Sequence, residues 1–179
     1  GPAREMHPMF EEQVVPRLQK EGIFPEIDCY IQLRTAGIGE SALAEIVEPM
    51  LNDIEGLIVG YCAHAGMVDL RLSSLDSDIL SEEKLHTLAD QCREALGEDF
   101  VCFGDRTLAE VIFRELRGLN KTLAVAESCT GGLLSSQFTE IAGISKVFHG
   151  GAVCYHNDAK VQMVEVPESM LEQHGAVSE

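Results

Sequence analysis

Basic residues are scarce in this 179-residue chain: 13 Lys and Arg stand against 30 Asp and Glu, a formal charge of −17 at pH 7. That balance repels phosphate backbones and anionic membrane surfaces, so neither nucleic acid nor a membrane is an expected partner. No run of 18 apolar residues occurs and no basic-then-apolar leader opens the sequence, so neither a membrane span nor a secretion signal is expected. The six cysteines, Cys29, Cys62, Cys92, Cys102, Cys129 and Cys154, form no C-x-x-C pair and do not cluster with histidines. Such spacing disfavours a zinc site and suits free thiols in a reducing cytoplasm. What is present is ordinary globular composition, 45% hydrophobic and 24% charged, at a length that allows one large domain or two small ones. The chain opens Gly1-Pro2 without a methionine and stops at Ser178-Glu179, residues suited to starting another helix, so a fragment of a longer protein is expected.

The first segment, 5–21, carries Met6, Met9, Phe10, Val14 and Leu18 at roughly helical spacing, interrupted by Pro8 and Pro16, and reads as a lead-in or the tail of an earlier domain. Ile27, Cys29, Ile31 and Leu33 then alternate with polar residues, the pattern of a strand with one buried face. A helix comes next with Leu43, Ile46, Val47 and Met50 on one side, which Pro49 should kink or end. Strands at 57–61 and 67–72 are joined by a five-residue loop, 62–66. A second helix from about Ser81 places Leu85, Leu88, Ala89, Cys92 and Leu96 on one stripe, stops at Gly97 and leads into a strand at 100–103. The order βαββαβ is that of a split βαβ plait with both helices on one face, a layout similar to KH-type modules. Between Glu26 and Gly104 four Lys/Arg face sixteen Asp/Glu, 4 − 16 = −12, and Gly37-Ile38-Gly39-Glu40 carries an acid where a nucleotide-clamping loop needs a base. A structural or docking role is therefore preferred over RNA binding for this part.

A second domain begins near Asp105. Thr107 and Glu110 form a capping box, Leu108, Val111, Ile112, Leu116 and Leu119 make a stripe, and Gly118 supplies a stop. A buried strand at 122–126 runs into the turn Glu127-Ser128-Cys129-Thr130-Gly131-Gly132, then a helix with Leu134, Phe138 and Ile141, then a strand at 151–155 and the polar segment 156–160. Strand, turn and helix in this order predict an α/β layered unit. In the turn, Ser128 or Thr130 can simply cap the helix, with Gly131-Gly132 serving close packing. Alternatively the free N–H groups at the helix start can bind an anion or a developing oxyanion. No lysine stands after the glycines, so the turn is not a Walker A loop. For Cys129, packing is preferred over a nucleophilic role. Ser145 and Lys160 offer a further chemistry, because serine needs a base to take its proton and a buried lysine can serve. Fifteen residues and one strand separate them, so a meeting at one sheet edge is open, as is a plain surface role for Lys160.

The run LAVAESCTGGLLSSQFTEIAG and, after it, FHGGAVCYHNDAKVQMVEVPESMLEQHGAVSE resembles the amidase domain of the CinA family, which also occurs alone as bacterial nicotinamide-nucleotide amidase. Residues 32–41, QLRTAGIGES, and the hairpin around 66–72, GMVDLRL, are similar to the family's KH-like middle domain, and Gly1-Pro2-Ala3-Arg4-Glu5-Met6 with Met9-Phe10-Glu11 to the end of its N-terminal nucleotide-hydrolase domain. The resemblance implies three parts: 1–23 as the tail of that hydrolase, 24–104 as the KH-like domain and 105–179 as the N-terminal part of the amidase domain. The fold class expected is thus α/β in the broad, α+β sense, a KH-like plait and then a partial layered amidase unit.

As to activity, the resemblance implies hydrolysis of the carboxamide of nicotinamide mononucleotide to nicotinic acid mononucleotide and ammonia, in the cytoplasm and without a metal; a divalent metal belongs only to the family's absent N-terminal domain. It implies Ser145 as nucleophile and Lys160 as its base, with Ser128, Thr130, Gly131, Tyr155 and Asn157 on the substrate side and Ser128 as the alternative nucleophile. A homodimer is expected. Ile144 stands where the family commonly has a small residue. The family's amidase domain also continues past residue 179 with a glycine-rich loop and basic residues, so this chain alone is expected to be a poor catalyst. The contrasting reading is a non-catalytic nucleotide-binding or scaffold module.

Overall fold

Alternation at the start of the plait does produce a strand, β1 (Cys29–Ala36), in the computed structural model, which describes residues 2–23 and 29–177. The expected strand start at Ile27 and the helix start at Ser178-Glu179 lie outside those residues. The described chain divides into two compact units, Gly1–Asp105 and Arg106–Glu179. No described helix is long and apolar enough to cross a membrane.

In the first unit the leading segment stays helical past both prolines: α1 (Ala3–Met9) holds Pro8, a π segment Phe10–Val14 comes next, and α2 (Val15–Lys20) takes Pro16 in its first turn. Pro16 comes one residue after that π segment, in which Val15 N bonds Phe10 O five residues back, and the wider turn leads the helix into a residue that has no N–H to donate. After β1 come α3 (Glu40–Leu51), β2 (Leu57–His64), β3 (Met67–Ser74), α4 (Glu82–Leu96) and β4 (Phe100–Phe103). The sheet order is β2-β3-β1-β4 with every neighbouring pair antiparallel, the split βαβ plait. Leu33, Leu70 and Leu72 of the sheet meet Leu43 and Val47 of α3 and Leu85 and Cys92 of α4 in one buried cluster, so both helices cover the same face. Each buried leucine there contributes about 1.5–3 kcal/mol.

Two local expectations change. The β2–β3 loop is shorter than expected: the strands pair out to His64 and Met67, leaving Ala65 and Gly66, and Gly66 takes a left-handed φ of 73°. Pro49 lies inside α3, which ends two residues later at Leu51. The larger difference is on β1, where Gln32 and Arg34, expected on an exposed face, are buried. Arg34 donates Nε to Asp69 Oδ1 and Nη2 to Asp69 Oδ2, both at 2.8 Å. Gln32 Nε2 donates to the same Oδ2 at 2.9 Å, and His64 Nε2 lies 3.1 Å from it. A carboxylate that is 1% exposed survives burial because a fork of donors replaces its water.

The second unit opens with α5 (Leu108–Gly118), whose capping box forms as expected: Thr107 Oγ1 accepts from Glu110 N and Glu110 Oε2 accepts from Thr107 N. Of its apolar stripe, Leu108 and Ile112 are exposed. Then come β5 (Leu123–Glu127), α6 (Leu133–Thr139), a 3-10 turn Ile144–Lys146, β6 (Phe148–Val153), α7 (Asn157–Val164) and α8 (Glu168–His174). β5 and β6 pair in parallel, Ala124 with Gly150 through Glu127 with Val153, and α6 forms the crossover between them. The second strand thus sits about three residues earlier than its apolar run suggested. Pairing with β5 draws Gly150 and Gly151 into the strand despite their low strand propensity.

Candidate active site

Glu127 and Val153 are the last paired residues of β5 and β6. Parallel strands bring the segments beyond their carboxyl ends to one edge, and in open α/β sheets ligands gather there. Past β5 come Ser128, Cys129 and Thr130; past β6 come Cys154, Tyr155 and the start of α7. The two edges are tied together at the first step, because Cys154 donates both its N–H (2.8 Å) and its Sγ (3.3 Å) to the carbonyl of Glu127.

The turn at 128–132 is built by its glycines and by Glu127. Gly131 and Gly132 take φ values of 61° and 104°, a left-handed region that costs other residues strain. Neither Ser128 nor Thr130 caps α6, contrary to one expectation. The Glu127 side chain does so: Oε2 accepts from Leu134 N at 2.9 Å and from Thr130 Oγ1 at 2.8 Å, while Oε1 accepts from Ser135 N at 2.9 Å and Ser135 Oγ at 2.5 Å. Thr130 therefore has its hydroxyl proton committed to holding the turn. The N–H groups at the helix start, the second expectation's anion site, are likewise occupied from within the chain. Led by the Ser135 hydroxyl, these donors pull the Glu127 carboxyl down to about 2, against the effect of burial.

Packing reinforces this arrangement. A Cβ built on Gly151 of β6 would collide with Ser135 Oγ and lie 3.0 Å from Val125 Cγ2. Gly151→Ala must therefore turn Ser135 off Glu127 or push α6 from the sheet, an overpacking that costs about 1–3 kcal/mol. A lower urea midpoint for that variant checks it; an unchanged midpoint would show that α6 is not closely seated.

Lys160 is 7% exposed, and its ammonium donates to the carbonyls of Cys154 at 3.0 Å and Tyr155 at 2.8 Å. Its Nζ thus lies at the carboxyl edge of β6, one residue past the strand, where Cys154 also bonds the Glu127 carbonyl. Tyr155 is 71% exposed, and Asn157, the first residue of α7, is also exposed. His156 caps α7 by accepting from Asp158 N on Nδ1. A cavity of about 340 Å³ opens between α7 and α8, with Lys160, Val166, Met170, Leu171 and His174 in its walls. Among the described residues, no three His, Cys, Asp or Glu side chains gather as metal ligands would.

The structure therefore gathers Ser128, Thr130, Gly131, Tyr155, Asn157 and Lys160 at one edge, but it does not bring Ser145 there. Ser145 is exposed in the turn Ile144–Lys146, ahead of β6, whereas Lys160 reaches the carbonyls just beyond it. The intervening strand, Phe148–Val153, spans about 17 Å at roughly 3.3 Å per residue. No direct proton transfer between Ser145 and Lys160 of one chain crosses that length. Cys129 also differs from expectation, being exposed on the turn and not packed. Glu127 and Ser135 were missed in the sequence. The available signal was an acid at the strand end, seven and eight residues ahead of Leu134 and Ser135 in the first turn of a helix whose N-cap is Gly132 and not Ser or Asp.

Two family models match the chain: the damage-inducible protein CinA KH domain over residues 32–102 and the CinA C-terminal domain over residues 105–179. A CinA-like protein of Nostoc punctiforme is 41% identical over 179 residues, which is 99% of this chain and 43% of the relative. A putative competence-damage inducible protein of Clostridium novyi is 40% identical over 180 residues, with the same two coverages, 99% and 43%. The chain thus spans 43% of the length of these relatives. The crystal structure of competence/damage inducible protein CihA from Agrobacterium tumefaciens is 46% identical over 39% of this chain and 42% of its own, with a TM-score of 0.38.

Proposed function

Because the chain belongs to the CinA family, we propose that its second unit is the catalytic half of an amidohydrolase that converts nicotinamide mononucleotide to nicotinic acid mononucleotide and ammonia. The observation that carries this reading is that Ser128 and the buried amine of Lys160 both follow the last paired residues of β5 and β6, at their shared carboxyl edge. Ser128 comes directly after the last paired residue of β5, and it is the serine assigned to attack the carboxamide carbon. Lys160 is assigned the proton transfer as the neutral amine, which can donate its two N–H bonds to the Cys154 and Tyr155 carbonyls and still hold a lone pair: it takes the hydroxyl proton and returns it to the departing ammonia. The bond formed is an ester to Ser128 Oγ, the bond broken is the amide C–N, and water then hydrolyses the ester to the carboxylate. The N–H groups of Gly131 and of 133–135 are bonded within the chain, so the oxyanion is assigned to the remaining backbone N–H groups of the turn 128–132. Tyr155 and Asn157, exposed at the same edge, are assigned to substrate. The cavity beside Lys160 has the volume and the mixed apolar and polar walls that suit one small ring.

The test uses the whole protein that carries this chain. Ammonia and nicotinic acid mononucleotide should appear from nicotinamide mononucleotide in equal amounts, and turnover should persist in EDTA, because no assigned step uses a metal. A folded protein that binds the mononucleotide without releasing ammonia would replace this reading with that of a nucleotide-binding or scaffold module.

A further inference from the structure

We propose that Glu127 is the positioning residue of this site, acting through Ser128 and not on substrate: its side chain fixes the start of α6 and its carbonyl fixes the end of β6, so the turn between them can present Ser128 in only one way. The kinetic part of this inference rests on the amidase reading; the structural part does not. Both carboxylate oxygens are filled, Oε2 by Thr130 Oγ1 and Leu134 N and Oε1 by Ser135 N and Ser135 Oγ. The group is 3% exposed, so it has neither a lone pair nor room to spare for a substrate. Hydrogen bonds to an ionised acceptor are about twice as strong as neutral ones, which makes four of them a rigid clamp. The Glu127 carbonyl takes the N–H and Sγ of Cys154, and the Cys154 carbonyl in turn receives Lys160 Nζ. Glu127 is thereby connected to both halves of the proposed machinery: to Thr130 in the turn, and through Cys154 to Lys160. The low value of its carboxyl means that it stays ionised throughout the range in which the protein works, so it neither gives nor takes a proton there.

Glu127→Gln is the decisive variant, because an amide presents N–H groups to donors and leaves about half of the clamp unmade. In the whole protein, kcat for nicotinamide mononucleotide should fall about 100-fold with KM changed less than about threefold, the pattern of a misplaced nucleophile in a site that still binds. The loss should be equal at every pH from about 6 to 9, since the replaced group does not titrate there. Ser135→Ala, which removes one donor and keeps the carboxylate, should cost about tenfold or less. The turn is also read without turnover, through the exposed Cys129 thiol at its centre. Its alkylation rate by iodoacetamide, monitored by mass spectrometry on the peptide that holds it, should change at least about threefold in Glu127→Gln while circular dichroism stays native. If Glu127→Gln fails to fold, Ser135→Ala and Thr130→Val carry the same test, each shifting the Cys129 rate in one direction by a smaller factor. Unchanged thiol rates in the folded variants overturn the inference. Changed thiol rates with no turnover in any form, the native sequence included, uphold the positioning role and remove the amidase reading instead.

Discussion

Asp69→Ala should destabilise the first unit by about 3–5 kcal/mol, the usual cost of removing one partner from a buried ion pair. Arg34 is 9% exposed and donates two bonds to this carboxylate; Gln32 and His64 also face it. Without it, a buried guanidinium loses the carboxylate that takes two of its N–H bonds and keeps the weaker support of Asp105, whose carbonyl accepts from Nη1 at 2.7 Å. For a unit of this size the midpoint of thermal unfolding should drop by at least about 12 °C. The same carboxylate sets an acid limb. Hydrogen bonding from Arg34 is the chief cause that holds the Asp69 carboxyl below its ordinary value of 3.8, against burial and with further help from the Arg34 charge and from His64. The folded state therefore binds fewer protons than the unfolded one. Its contribution is complete above the ordinary value and is lost as pH falls from there through the lowered native value. Urea unfolding of the native sequence and of Asp69→Asn at pH 7 and pH 3 checks this: the gap between them should narrow at the lower pH. A constant gap would mean that the Asp69 carboxyl binds protons alike in the folded and unfolded states, so that its partners do not lower it.

The plait was legible because its two periods are clean: alternation marks β1, and the stripes of α3 and α4 carry the residues that do meet in the core. Its polar side was not. Gln32 and Arg34 read as solvated, and the reason they are buried lies 37 and 35 residues away at Asp69, a cross-strand pairing that no local pattern encodes. The CinA resemblance was legible from the motifs themselves. In the second unit, β6 was displaced because its glycines hide a strand that tertiary pairing enforces, and the apolar residues 152–155 drew attention to its end. That displacement also sets Ser145 and Lys160 at opposite ends of β6. A strand that starts at Phe148 leaves Ser145 at the amino edge, whereas a later start keeps both edges in play. The capping by Glu127 stayed hidden because cap rules look to a short polar side chain next to the helix, and this one reaches in from the end of a strand.

Ser128→Ala should lower kcat for nicotinamide mononucleotide by at least about 10³-fold, because a nucleophile has no partial substitute in a covalent mechanism. Ser145→Ala should stay within about fivefold of the native sequence, as expected for an exposed side chain a full strand length from the buried amine. The reasoning is geometric. Ser128 and Lys160 both lie just past the Glu127–Val153 pair, linked through Cys154, while Ser145 precedes the other end of β6. The measurement that tests the central claim most directly is therefore ammonia release by these two variants side by side in the whole protein, each shown to be folded by circular dichroism. Turnover lost in Ser128→Ala and kept in Ser145→Ala is the predicted result. Turnover lost in Ser145→Ala and kept in Ser128→Ala would contradict it and would require a second copy of the chain to carry Ser145 to the Lys160 edge.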